Sequence, residues 1–279
     1  MSAVNEIRDD RVLKSTHLLG AIIVPFLLVA FVLLYVFPAD TRSYFAWEIK
    51  PTMTPLLMGA GYIAGAYFFT MVVREREFHR VHVGFLPITA FTIFMAIATF
   101  SHLDRFLTNN VAFWVWTALY VLTPILVPLA WWRNRKTDPG TVAADDVMLP
   151  SWVRALLLGA GGVQTAVAVV LLASPQTMID IWPWQLTPLT AQVLGGWFAL
   201  PGVTALMMGI DGRGSAIHIT LRSQAIGLAL ILLGAARSWS EFDTSNELSY
   251  VFVLGLGLLL LGLVALEGHL LSLTRRHDG

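Results

Sequence analysis

The stretch IWPWQLTP, Ile181–Pro188, repeats in outline a stretch met much earlier in the chain, YFAWEIKP, Tyr44–Pro51. Sliding the chain against itself by 137 residues aligns Trp47 with Trp184 and Pro51 with Pro188. The same offset pairs Pro38 with Pro175, Gly59 with Gly196, Gly65 with Gly202 and Met71 with Met208. It continues without a gap to Ala98 with Ala235, Ser101 with Ser238 and Asp104 with Glu241. Tryptophan and proline are uncommon residues, so duplication accounts for these matches better than chance among apolar positions. The expected chain is two copies of one unit.

Composition says what the unit is. With 56% hydrophobic residues, 13% charged residues and a mean hydropathy of +0.69, the chain is too apolar to solvate itself as an ordinary globule. Apolar stretches near the roughly 20 residues a bilayer core requires run over 18–37, 52–73, 83–101, 112–132, 152–174, 189–210, 216–236 and 249–271. Each should be helical, because lipid leaves no partner for backbone groups that a helix does not satisfy internally. The expectation is an all-α polytopic membrane protein with eight transmembrane helices as two tandem parallel four-helix repeats, 1–136 and 152–279, joined by a cytoplasmic linker, 137–151. An even number of spans per copy gives both copies the same polarity, which predicts a pseudo-two-fold axis along the membrane normal. Pro139 and Gly140 break any helix in the linker.

Charge sets the orientation. One side of the predicted membrane carries fourteen Lys and Arg residues and the other four: Arg42, Lys50, Arg105 and Arg237. This positive-inside bias places both termini in the cytoplasm and suits a plasma membrane. The mixed-charge N-terminus, with Glu6 and Arg8 among its residues, is followed by no clear small-residue cleavage site, so the first span is expected to be retained. A formal net charge of zero argues against nucleic acid as a partner. The absence of cysteine removes disulfides, thiolate metal sites and cysteine nucleophiles.

Few polar groups lie near mid-depth: Thr70, Thr92, Thr117, Gln164, Thr165 and Ser223. An ion pump or proton-coupled transporter usually needs titratable groups there. Glycines such as Gly59, Gly61, Gly65, Gly159, Gly161, Gly162, Gly255 and Gly257 are expected to permit close helix contact. The run GAGG, Gly159–Gly162, lacks the GK[ST] of a phosphate loop.

Three groups of residues offer chemistry. On the outer side, Glu48, Lys50, His102, Asp104, Arg105, Arg237, Glu241 and Asp243 could bind a cation or polar substrate, or do acid–base work. The competing account is solvated helix ends, with Asp104–Arg105 and the i,i+4 pair Arg237–Glu241 joined as ion pairs. Trp47, Trp182, Trp184 and Trp239 are expected as an interface belt, with ligand stacking as the alternative. On the cytoplasmic side, His82 and His218 stand one residue away from the ungapped offset, and either that pair or His17 and His269 could supply the two axial nitrogens of a b-type haem. The plainer account makes these histidines partly solvated anchors, and Arg154 and Arg222 snorkelling residues. The charge-alternating REREFHR, Arg74–Arg80, fits a solvated turn.

The leading functional expectation is a non-enzymatic integral membrane protein that binds or moves a small or apolar molecule between the repeats, or an accessory subunit with a membrane-protein partner. An enzyme with an extracytoplasmic polar site is the first alternative and a haem-binding electron carrier the second. The leading expectation needs no cofactor. Haem b or another pigment belongs to the last alternative.

Overall fold

A computed structural model describes residues 8–143 and 146–277, without the side chains of 274–277. Glu6 at the N-terminus, Asp145 in the linker, and the side chains of Arg275 and Arg276 that enter the charge count lie outside the described residues. The described chain is helical, with no strand, and contains eight helices long and apolar enough to cross a membrane. They are α1 (Lys14–Phe31, prolonged by a π-helical turn, Val32–Val36), α2 (Met53–Arg74), α3 (Phe85–Ser101) and α4 (Val111–Asn134), then α5 (Ser151–Ala173), α6 (Pro188–Asp211), α7 (Gly214–Arg237) and α8 (Glu247–His277).

The ends of these helices follow from local chemistry. Thr187 caps α6 in a reciprocal box with Thr190, and Pro188 takes the first helical position, where a missing N–H costs nothing. Pro51, aligned with Pro188 in the sequence, lies two residues before α2 begins at Met53. No side chain of the local segment caps α2. Asn110 caps α4 by accepting from the Ala112 N–H, and Asn246 accepts from the Leu248 N–H at the start of α8. Gly212 ends α6 at φ 77°, a left-handed conformation that favours glycine.

Helices α2, α3, α6 and α7 form the interior, with 44% to 61% of their apolar windows buried, against 11% to 28% for α1, α4, α5 and α8. The main packing runs along two chains of neighbours, α1–α2–α7–α8 and α5–α6–α3–α4. The third helix of each half therefore lies on the second helix of the other half. The halves interlock. Glycine sets some of the distances: a Cβ on Gly161 in α5 would stand 2.7 Å from the Gly202 carbonyl oxygen in α6, so these backbones meet directly. Gly159, Gly162, Gly255 and Gly257 differ from expectation, because nothing lies within 4 Å of an added Cβ.

Several contacts recur in the two halves with nearly the same geometry. The Val12 N–H donates to the Arg76 carbonyl at 2.8 Å, and the Leu149 N–H to that of Gly212 at 2.8 Å. The Phe78 N–H donates to the Asp10 carbonyl at 2.6 Å and the Gly214 N–H to that of Val147 at 2.7 Å. Trp47 meets Trp116 at 4.9 Å and 76°, while Trp184 meets Phe252 at 5.2 Å and 75°. Trp47 meets Phe106 at 5.1 Å and 57°, and Trp184 meets Phe242 at 5.2 Å and 58°. Trp47 and Trp184 differ by 137, whereas Phe106 and Phe242 differ by 136. The offset thus changes by one residue between these pairs. The ungapped offset pairs Asp104 with Glu241, but the matching 3-10 turns, Leu103–Arg105 and Trp239–Glu241, give Arg105 and Glu241 the same place. His82 and His218 also differ by 136.

Candidate functional site

Trp197 near the middle of α6 stands between two crevices. Its indole meets Tyr62 edge-on at 4.9 Å and 90°, and Phe91 at 4.5 Å. Its benzo edge lies flat on Gly61, where an added Cβ would fall 2.0 Å from Cζ3. Only glycine leaves room there. Behind Tyr62, the Tyr120 hydroxyl completes the wall with an O–H···O bond of 2.8 Å.

The first crevice, about 220 Å³, lies between α1 and α4 and is walled by Leu27, Phe91, Trp116, Leu119, Tyr120 and Trp197. Its rim carries the exposed Val29 and Val111. The second, about 330 Å³, lies between α5 and α8 and includes Gln164, Gln224, Gly227, Phe252 and Gly255. Both share Gly61, Gly65, Ile88, Trp197 and Leu200, so they adjoin across the indole. Trp197 is 7% exposed, and its Nε1–H is buried without an acceptor, as is the Gln224 Nε2 group. Thr204, Thr220 and Ser223, which also line the second crevice, spend their hydroxyls on the carbonyls of Leu200, Ile217 and Ala64.

The polar residues expected on the outer side divide among separate contacts. Glu241 accepts from the Thr52 N–H at 3.0 Å, the Thr52 hydroxyl at 2.6 Å and the Met53 N–H at 2.8 Å, and so caps α2 from the other half of the chain. Arg237, expected to pair with Glu241, donates instead to the Tyr35 carbonyl and lies over its ring, 5.4 Å from the centroid. Asp104 and Arg105 form the expected pair at 3.1 Å, both side chains 72% exposed. Glu48 bonds Lys50 and Arg42, and the Lys50 contact holds its carboxyl below the usual carboxylate range. Asp243 is lowered by the Ser245 hydroxyl and N–H, which it accepts within its own loop. His102 is partly buried, with Nε2 unpartnered. None of these eight residues lines either crevice.

Trp47, Trp182 and Trp184 were expected to face an interface, and the structure corrects this: they are 2%, 8% and 2% exposed and pack inward. The loops before α2 and α6 fold back over one end of the bundle, and Trp184 Nε1 donates to Thr54 Oγ1 in α2 at 2.9 Å. Trp239 is half-buried and stacks on Phe242 at 5.0 Å.

The histidines expected on the cytoplasmic side are held by other partners. His82 Nε2 bonds Asp211 at 2.8 Å, His218 Nδ1 bonds Glu267 at 2.8 Å and His17 Nε2 bonds the Glu75 carbonyl at 2.9 Å, while His269 is exposed. Arg222 also reaches Glu267, at 2.6 Å. Arg154 donates to the carbonyls of Gly209 and Ile210 at the end of α6. These contacts give the imidazoles orienting partners on separate elements.

Two clusters had no clear signal in the sequence. Arg213 is buried and donates bidentately to both Asp138 in the linker and Asp211 at the end of α6. Burial alone would raise the Asp138 carboxyl, but the Arg213 guanidinium and the Gly140 N–H hold it below the usual range. The Asp138 bond in turn raises the Arg213 guanidinium. The second cluster, Asp10, Glu77 and His79, presents potential ligand atoms within 4.8 Å of one another. Asp10 accepts the His79 N–H and bonds its Nδ1, and Asp146 does the same for the N–H and hydroxyl of Ser215. A serine hydroxyl replacing the imidazole in the second case fits a backbone staple better than a metal centre.

Comparison with known protein families, curated proteins and solved structures finds no match to this chain.

Proposed function

We propose that this chain is a non-enzymatic integral membrane protein of the plasma membrane that binds a small, largely apolar molecule drawn from the bilayer. The observation that carries this reading is the pair of crevices separated by Trp197, which line one wall with aromatic rings and open toward lipid-facing residues. A mostly apolar cavity with few polar groups is the usual form of a small-molecule site.

The binding reading includes a tandem architecture. The chain is two four-helix copies, offset by 137 residues as far as the end of the second span and by 136 beyond it. The recurring backbone bonds at Val12 and Leu149, and the recurring ring pairs at Trp47 and Trp184, support it. Both termini face the cytoplasm, which the fourteen-to-four division of Lys and Arg supports.

The test is direct. Protein purified in mild detergent is extracted into organic solvent, and the extract is compared by mass spectrometry and ultraviolet–visible absorbance with that of the bulk membrane. The expected result is one apolar species enriched with the wild-type protein and depleted with Gly255→Phe, whose ring would enter the second crevice at a position with nothing within 4 Å of an added Cβ. Identical extracts from wild type, variant and membrane would overturn the reading.

A further inference from the structure

The second crevice differs from the first in chemistry as well as size. In the register of the proposed copies, Leu27 and Ile88 of the first half correspond to Gln164 and Gln224, and Phe91 and Leu119 to Gly227 and Gly255. All eight residues line the two crevices, Ile88 lining both. Two aliphatic positions have become amides, and two bulky positions have become glycines. The exchange makes the second crevice both roomier and polar at its wall.

Amides within a membrane-spanning bundle are costly unless they are bonded. Neither Gln164 nor Gln224 has a hydrogen bond to another described residue, and the Gln224 Nε2 group is buried without a partner. The neighbouring Trp197 Nε1–H is also buried and unpartnered, on a side chain 7% exposed. An indole nitrogen only donates, so the group that satisfies it must be an acceptor. The local hydroxyls of Thr204, Thr220 and Ser223 are already committed to backbone carbonyls. The crevice therefore offers two buried unpartnered donors, the Gln224 Nε2 group and the Trp197 Nε1–H, inside an apolar enclosure whose lining carries no positive charge with which to hold an anion.

We propose that the second crevice is the head-group site for a neutral membrane-soluble carbonyl compound, whose oxygen accepts hydrogen bonds from Gln164, Gln224 and Trp197. Its apolar body leaves between α5 and α8, along Phe252, Gly255 and Leu259. Glycine at 255, with nothing within 4 Å of an added Cβ, keeps that passage open. The volume of about 330 Å³ holds a ring or short head, and lipid solvates the remainder. This assignment rests on the binding function proposed above and adds the chemistry of the ligand.

The experiment uses the full chain in lipid nanodiscs and two radiolabelled probes, decylbenzoquinone and decylbenzene, with empty nanodiscs subtracted. The probes share a tail and a ring and differ in the two carbonyls. Wild type is expected to bind decylbenzoquinone about tenfold more tightly than decylbenzene, as one to two neutral hydrogen bonds would give. The double variant Gln164→Leu, Gln224→Leu should lose that preference and keep its affinity for decylbenzene. Its Tm without probe should stay the same or rise, since no protein partner loses a bond. A fall in Tm with unchanged probe preference would assign the amides to structure and overturn the proposal. Equal affinities of wild type for both probes would also overturn it, while leaving the apolar-binding reading intact. Failure of either probe to bind wild type would overturn both.

Discussion

Replacing Gly61 by alanine tests the wall between the crevices. The new methyl carbon would stand 2.0 Å from Trp197 Cζ3, 2.5 Å from Cε3 and 2.8 Å from Cη2. Non-bonded carbons settle at about 3.5–4.0 Å, so the indole must retreat by roughly 1.5 Å. Tyr62 meets it edge-on at 4.9 Å and Phe91 lies at 4.5 Å, so the retreat disturbs two further rings. Overpacking of this kind costs about 1–3 kcal/mol. At about 2–4 °C per kcal/mol for a chain of this order of size, Tm should fall by about 2–12 °C. Thermal unfolding in mild detergent measures it. Trp197→Phe withdraws the overhanging edge, so in a double-mutant cycle the pair should recover at least about 1 kcal/mol relative to additivity. Wild-type stability for Gly61→Ala, or strict additivity with Trp197→Phe, would refute the contact on which the wall depends.

Glu241→Ala removes three bonds at the start of α2 and should cost about 1–2 kcal/mol, whereas Asp104→Asn, at a 72% exposed carboxylate, should stay within about 0.5 kcal/mol. Their Tm values compare the two acids directly. Asp138 sits below the ordinary carboxylate value, so its contribution is complete above about pH 4 and disappears as pH falls through its lowered value. Asp138→Asn should lose about 1–3 kcal/mol at neutral pH and show less acid sensitivity of linker proteolysis. A steeper acid response in the variant would contradict that assignment. Because the chain has no cysteine, single substitutions at the exposed Asp104 and Val142 report orientation: an impermeant maleimide should label Asp104→Cys in intact cells, and Val142→Cys only after lysis.

The eight spans were legible because bilayer thickness imposes a length and lipid demands a continuous apolar run. The inward turn of Trp47 and Trp184 was not, because belt and core positions have the same composition at a helix end and differ only in how the loop folds back. Glu241 shows the same limit: its i,i+4 spacing to Arg237 was visible, but its actual partners, Thr52 and Met53, lie in the other half. The two clusters at Arg213 and at Asp10 depend on contacts across 75 and 69 residues, which spacing within one helix cannot disclose. Gln164 was visible as polar content, but its enclosure with Gln224 and Trp197 required the packing of α5, α6 and α7. A one-residue change of offset, from 137 for Trp47 and Trp184 to 136 for Phe106 and Phe242, also puts His82 and His218 out of step in an ungapped comparison.

The asymmetry at Trp197 follows from the proposed two-fold arrangement. Offsetting by 137 makes Ala60 the counterpart of Trp197 and Gly61 the counterpart of Phe198. Near a two-fold axis, equivalent positions approach one another, and two indoles would compete for the volume that one occupies. The chain has a bulky pair on α6 and a small pair on α2, with the Trp197 ring laid directly on Gly61. One filled side and one emptied side leave a single wall with a crevice on each face. Because the third helix of each half packs on the second helix of the other, both crevices are built from both halves. Trp197 lines both crevices, so a molecule entering either one would meet the same indole.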